Sequence, residues 1–207
     1  MLFYLIAFCV QEFDARKKYK SFRKVFLKAA PIRKLDVIHK LLIQFNVKDP
    51  DHIISGINGK QKLVKKFRKN IGPYRKTIRR TDEKMKLYYR KIKAGCFQKY
   101  RRLKESELRK ELSLDLRQDQ LHNMRKMCKE VIYLSNLKKN AGLKSGNYDK
   151  LQKLIGDWHD KQLVLKILNP KSGNFESSVT KKLKRVATWD VKNIRNLLVE
   201  IRKNGDG

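Results

Sequence analysis

Residues that interrupt secondary structure are scarce, because this 207-residue chain contains only four prolines and ten glycines. Between them, apolar residues recur three and four positions apart, and strand-like alternation does not persist. We therefore predict an all-α protein. With ends placed to within ~2–4 residues, the predicted helices cover 1–12, 15–29, 31–46, 58–71, 73–94, 98–116, 118–138, 147–156, 158–168 and 176–203. The predicted breaks fall at 30–31, 49–50, 72–73, 142–146 and 169–173.

Cysteine is also scarce. Cys9, Cys96 and Cys128 are odd in number and far apart in the chain. This spacing indicates neither a disulfide framework nor a zinc site, and it is typical of a protein of the reducing cytosol.

Long hydrophobic runs are missing as well. The longest, MLFYLIAFCV at residues 1–10, is about half the length of a membrane-spanning helix, which needs ~20 residues. It also lacks the charged start and the cleavage site of a signal peptide. The run therefore predicts a buried helix, and we expect no membrane partner.

Acidic residues are few, with 20 Asp and Glu against 52 Lys and Arg, so the formal charge is +32. The content of 41% hydrophobic residues separates the chain from basic disordered tails and predicts a folded core. A charge surplus of this size favours a polyanionic partner. There is no nucleotide-binding loop, nucleophile elbow or dense carboxylate cluster, so we predict a protein that is not an enzyme and needs no cofactor.

The segment 121–133, LHNMRKMCKEVIY, combines a basic stripe with an apolar one. The two stripes point roughly 130° apart on a helix. The basic stripe is His122, Arg125, Lys126 and Lys129, and the apolar stripe is Leu121, Met124, Cys128, Val131 and Ile132. A row of cationic donors on a rigid helix suits an extended polyanion. The cations should also lower the pKa of His122 until an anion binds, which would couple binding to protonation.

The second predicted helix repeats this two-sided pattern. Its basic residues are Arg16, Lys20, Arg23 and Lys24, and its expected inner face is Tyr19, Phe22, Phe26 and Ala29. The basic face is either part of a binding surface or simply solvated, and the spacing does not separate the two.

An internal repeat indicates two helical halves. Residues 32–42 align without gaps on residues 158–168, with an offset of 126 and a matching apolar pattern. We predict domains at 1–95 and 96–207. Because the counterpart of His122 would precede residue 1, we expect the first half to lack its own basic stripe, through either an incomplete N-terminus or a shortened variant.

Three motifs resemble the CHAD family, whose name abbreviates "conserved histidine α-helical domain". They are LHNMRKMCKEVIY at 121–133, LQKLIGDWHD at 151–160 and AAPIRKLDV at 29–37. They are similar to the family patterns LHxLRKxxKxLRY, LQxLLGxxHD and LGxxRDLDV. The chain departs from these patterns at Ile132, Ala30 and Lys34, and the HxxR motif of the first half is absent.

The resemblance implies two antiparallel four-helix bundles related by pseudo-twofold symmetry, with a basic groove that binds inorganic polyphosphate. The binding role falls on His122, Arg125, Lys126 and Lys129, and more loosely on Arg33. We add the stripe of residues 16–24 from spacing alone. Expected supporting residues are Tyr133, His159 and Asp160. We expect His159 and Asp160 to begin a helix after a turn at Gly156, where Asp160 would favour the helix N-terminus.

Two alternatives stay open. The first is RNA or DNA binding, since basic residues are interleaved with Tyr74, Tyr88, Tyr89, Phe97 and Tyr100, although aromatics at helical spacing are more often core. The second is a metal-dependent phosphohydrolase or phosphotransfer protein that uses His122 and His159. No helix face supplies two ligands, so we predict no metal site. We expect a cytoplasmic protein, associated with polyphosphate or storage granules, of undetermined oligomeric state.

Overall fold

A computed structural model describes residues 1–56, 60–112, 117–137, 146–168 and 177–203, and α-helices joined by short turns make up this part of the chain. The prediction of an all-α helical-bundle protein is confirmed. The helices are α1 (Leu2–Cys9), α2 (Ala15–Gln44), α3 (Pro50–Gly56), α4 (Lys60–Lys69), α5 (Ile71–Arg90), α6 (Ala94–Glu111), α7 (Gln118–Leu137), α8 (Gly146–Ile167) and α9 (Ser177–Lys203).

The chain forms two compact units, Met1–Tyr100 and Arg101–Gly207. The boundary between them lies within α6, five residues after the boundary expected between 95 and 96. None of the described helices combines the length and the apolar character that crossing a membrane requires.

The ends of α2 are set by local hydrogen bonds. At its start, Asp14 Oδ1 accepts from the backbone N–H of Lys17 at 3.0 Å, which satisfies a donor without an intrahelical partner. At its end, Asn46 adopts a left-handed backbone with φ of 54°, and the N–H of Val47 donates to the Leu42 carbonyl at 3.0 Å. This pairing is the Schellman arrangement that closes helices.

Two predicted breaks are wrong, and a third is displaced by two residues. Helix α2 continues through Pro31, which is exposed and has no N–H to donate to the Leu27 carbonyl. The break expected at 72–73 lies at Asn70, between α4 and α5 and within the stated uncertainty, and Pro73 is tolerated in the first turn of α5. Helix α8 continues through Gly156 and Asp157, since its buried face is continuous on both sides of them. The helix α3 was not predicted. The breaks expected at 142–146 and 169–173 lie almost entirely outside the described residues.

The first unit is built on aromatic and aliphatic side chains of α1, α2 and α5. Its core cluster contains Phe3, Ile6, Val10, Phe13, Ala15 and Met85. The N-terminal run is therefore a buried helix, as predicted. Phe26 was expected on the inner face of α2, but it is 54% exposed, and Val25 is buried in its place.

The cysteines of the first unit are paired. A disulfide joins Cys9, at the end of α1, to Cys96, in the first turn of α6. The expectation that the chain carries no disulfide is wrong at this pair, because 87 residues separate two cysteines that the fold brings together. Cys128 is free and buried, and burial raises the pKa of its thiol to about 12.

The second unit packs the C-terminal part of α6 with α7, α8 and α9. Its core cluster includes Leu108, Met124, Cys128, Leu151, Ile155, Trp158, Ile194 and Leu198. One ion pair is nearly enclosed here: Lys161 Nζ of α8 lies 2.8 Å from Asp190 Oδ2 of α9, with side chains 12% and 5% exposed. The pair fixes the register of these two helices, because each charge is left uncompensated if the other moves away.

Candidate functional site

Helix α7 buries one stripe and presents the other. It starts where the Gln120 side chain accepts from the backbone N–H of Arg117 at 2.7 Å, a contact of the kind found in capping boxes. Its buried residues are Leu121, Met124, Cys128, Val131 and Leu134. On the basic stripe, His122 and Lys126 are exposed and Arg125 and Lys129 are half-buried. The basic side chains therefore border the core and do not all project into water.

Arg125 is held by packing against the neighbouring helix. Its guanidinium lies on the backbone of Gly156 in α8, so that a Cβ on residue 156 would be 2.8 Å from Nη2 and 3.1 Å from Nε. Because real Cβ atoms essentially never approach a heavy atom closer than 3.0 Å, only glycine leaves this space free. The Nε of Arg125 is buried and has no hydrogen-bond partner within the part of the chain that the structure describes. The site thus holds an oriented cation with an unsatisfied donor.

Two histidines meet beside this arginine. The rings of His122 in α7 and His159 in α8 lie 5.6 Å apart between centroids, with an angle of 32° between their planes. Reduced contact with water lowers the pKa of His122, and the charges of Lys126, His159 and Arg125 lower it further. The expected depression of this pKa is confirmed in direction, with desolvation as the first cause. A bound anion would oppose every one of these charge effects.

Of the residues expected to support the site, Asp160 lies beside the histidine pair and Tyr133 does not. Asp160 Oδ1 lies 3.4 Å from His159 Nδ1, so this carboxylate accompanies the histidine pair. Asp160 is in the interior of α8 and not at a helix N-terminus, which corrects the sequence prediction. Tyr133 is exposed on α7, but it follows His122 by eleven residues, or ~16 Å along the axis, and so lies away from the histidines.

The basic stripe of α2 forms a separate surface in the first unit. Arg16, Lys20, Arg23 and Lys24 line a groove of about 750 Å³ together with Tyr4, Tyr19 and Leu27. The structure therefore brings together the four cations that the spacing had grouped. Arg33 is exposed on the same helix, about two and a half turns beyond Lys24.

The structure also shows where the residues named for the metal-dependent and nucleic-acid alternatives lie. Among the described residues, no three His, Cys, Asp or Glu side chains are grouped so as to hold a metal ion, and His122, His159 and Asp160 are no exception. Of the aromatics expected to stack on bases, Phe97 and Tyr100 are buried in the core. They are unavailable as stacking platforms.

Two notable residues were not predicted. Gly156 was expected to form a turn, whereas it provides the space for Arg125. Trp189 of α9 is 62% exposed. Helical periodicity could have predicted this exposure, since the residue falls roughly 130° from the apolar stripe of its helix.

No family model matches this chain, and neither a curated protein nor a solved structure matches it. The resemblance to the CHAD family therefore rests on the motifs at 29–37, 121–133 and 151–160, and membership stays a prediction.

Proposed function

We propose that this protein binds inorganic polyphosphate on the surface formed by α7 and α8. The observation that carries the proposal is the guanidinium of Arg125, which lies on Gly156 and whose buried Nε has no hydrogen-bond partner among the described residues. An unsatisfied buried donor costs free energy, and a phosphate oxygen held by the guanidinium would form a charge-assisted hydrogen bond. The arginine is positioned before the ligand arrives, which lowers the entropic cost of binding.

The arrangement of neighbouring cations favours a chain of phosphates over a single one. From His122 to Lys129 the stripe extends ~10 Å along α7. At one end of the stripe, His122 lies next to His159 of α8. Several phosphate groups in a row can each meet a donor without any backbone rearrangement. The net charge of +32 adds long-range attraction and counterion release.

We propose capture without chemistry. Phosphoryl transfer is generally assisted by metal ions held by several ligands, and Asp160 accompanies a histidine instead of a second carboxylate. The lowered pKa of His122 suits a group that gains a proton when an anion binds.

A competition experiment tests the proposal. Long-chain polyphosphate and single-stranded RNA are compared at matched phosphate concentration and salt, because affinities for polyanions depend steeply on ionic strength. In the parent protein we expect polyphosphate to displace RNA from the α7–α8 site. In the Arg125→Ala variant we expect this competition to be lost. If polyphosphate fails to displace the RNA whose binding depends on Arg125, the assignment is overturned. Shortening of polyphosphate in the presence of magnesium, manganese or zinc would instead establish the enzymatic alternative.

Cytoplasmic location, with association to polyphosphate granules, is part of the same proposal. Protein isolated under thiol-blocking conditions tests it through the state of Cys9 and Cys96. Because disulfides are rare in a reducing cytosol, the disulfide between Cys9 and Cys96 argues against that location, and the proposal requires that the isolated protein carry the two cysteines as free thiols.

A further inference from the structure

Helix α9 has a face that the second unit does not use for its core. The buried side of the helix carries Leu183, Ala187, Ile194, Leu198 and Ile201. On the other side, Trp189 is 62% exposed, whereas the chain's second tryptophan, Trp158, is only 5% exposed. An indole ring is a large apolar group whose burial is normally favourable. A ring that is exposed to water on a rigid helix is therefore a candidate contact for a ligand.

Cations surround this ring. Trp189 shares a surface depression of about 750 Å³ with Ser178, Lys181, Lys182, Arg185 and Val186. Arg185 precedes it by four residues and Lys192 follows it by three, which puts basic side chains ~6 Å before and ~4.5 Å after the ring along the helix axis. The ring is therefore flanked by positive charge on both sides.

We propose that this face of α9 is a second binding site, for single-stranded nucleic acid, with a base stacked on Trp189 and phosphates held by Lys181, Lys182, Arg185 and Lys192. A flat ring between cations matches a ligand that alternates planar bases with negative charges. The proposal is independent of polyphosphate binding, because it uses a different helix face and a different chemical group.

Other polyanionic partners fit this face less well. A membrane-surface helix needs a broad apolar face opposite its cations, but the apolar face of α9 is buried in the core, and the tryptophan lies among the cations themselves. Inorganic polyphosphate has no planar group, so it would use the cations and leave the ring idle. The exposed indole therefore favours a ligand with bases.

The experiment compares three probes on the full chain: an oligothymidylate of about 12 nucleotides, an abasic oligomer with the same number of phosphates, and a polyphosphate of similar length. We expect the oligothymidylate to bind about tenfold more tightly than the abasic oligomer and to quench the fluorescence of the exposed tryptophan. Trp189→Ala should abolish that difference, and Trp189→Phe should retain part of it. Circular dichroism checks that each variant is folded, which the exposure of the residue leads us to expect.

The matched control is Arg125→Ala, which should weaken polyphosphate binding and leave the advantage of the base-bearing oligomer unchanged. Arg185→Ala should weaken both oligonucleotides equally, because it removes a phosphate contact. An unchanged advantage of bases in Trp189→Ala overturns the proposal. So does tryptophan-dependent binding to vesicles of phosphatidylcholine and phosphatidylserine in the absence of quenching by the oligothymidylate, since that result would assign the face to a membrane.

Discussion

The guanidinium of Arg125 in α7 lies directly on the backbone of Gly156 in α8, where a Cβ would come within 2.8 Å of Nη2. This contact ties the two motif-bearing helices to one another at the proposed site. The arginine is oriented by packing, and its buried Nε has no hydrogen-bond partner among the described residues. A change at the glycine should therefore act on function through the arginine.

Gly156→Ala should separate binding from stability. The added methyl group displaces the guanidinium, a flexible end that can move, while alanine favours an interior helical position over glycine by up to ~1 kcal/mol. We expect unfolding in urea to show unchanged or increased stability, and polyphosphate affinity to fall about tenfold, equivalent to ~1.4 kcal/mol. Gly146→Ala is the control, because no atom of the described residues lies within 4 Å of a Cβ at that position. Equal affinity in both variants would refute the positioning role.

Replacing Arg125 and Lys129 by alanine should reduce the salt dependence of polyphosphate binding. If each side chain contacts one phosphate, the slope of log affinity against log salt falls by about 2, and helicity stays the same. Lys153→Ala is the comparison variant, since the ammonium of Lys153 lies 2.7 Å from Asp149 and is engaged there. A double variant with the slope of the parent protein would place the binding site elsewhere.

Polyphosphate binding should strengthen as pH falls. In the free protein the pKa of His122 is below its ordinary value of 6.5, and a bound phosphate raises that pKa, so binding takes up a proton. We expect the affinity to increase through and below about pH 6.5, with a smaller increase in His122→Gln. The free protein should lose stability over the same range, because its unfolded state binds the proton more readily. Binding measured by calorimetry in two buffers of different ionisation enthalpy reports the proton directly; an absence of proton uptake would contradict the coupling.

The ion pair of Lys161 and Asp190 should matter for the stability of the protein because it is nearly enclosed. Asp190→Ala leaves an ammonium buried without a partner and should cost about 3–5 kcal/mol of unfolding free energy. The double variant Lys161→Met with Asp190→Leu should recover most of that loss, since similar apolar volume removes both charges. Asp82→Ala breaks an exposed pair with Lys86 and should cost less than about 1 kcal/mol. Urea unfolding compares the three.

Reduction of the disulfide between Cys9 and Cys96 should destabilise the first unit. It closes a loop of 87 residues, for which loss of the cross-link costs about 4.6 kcal/mol in the chain-entropy model. Both tryptophans, Trp158 and Trp189, belong to the second unit. We therefore expect a reductant to shift the urea transition seen by circular dichroism more than the one seen by tryptophan fluorescence. Equal shifts would show that the loss is not confined to the first unit.

The helical periodicity of the sequence was sufficient for the class of fold and for the two-sided character of α7. Both depend on the 3.6-residue repeat, which is a local property. Local break signals were less reliable: Pro31 and Gly156 each lie inside a helix because tertiary packing outweighs the propensity of one residue. Because a break was expected near Gly156, the prediction placed Asp160 at the start of a helix, whereas it lies in the interior of α8.

By itself, the sequence determined that the chain is helical, strongly cationic, and equipped with a basic stripe from His122 to Lys129. Only the tertiary structure decided that Arg125 lies on Gly156 and that His122 faces His159. The reason is physical: periodicity states which side of a helix is apolar, whereas contacts between helices depend on how those sides pack, and that involves residues far apart in the chain.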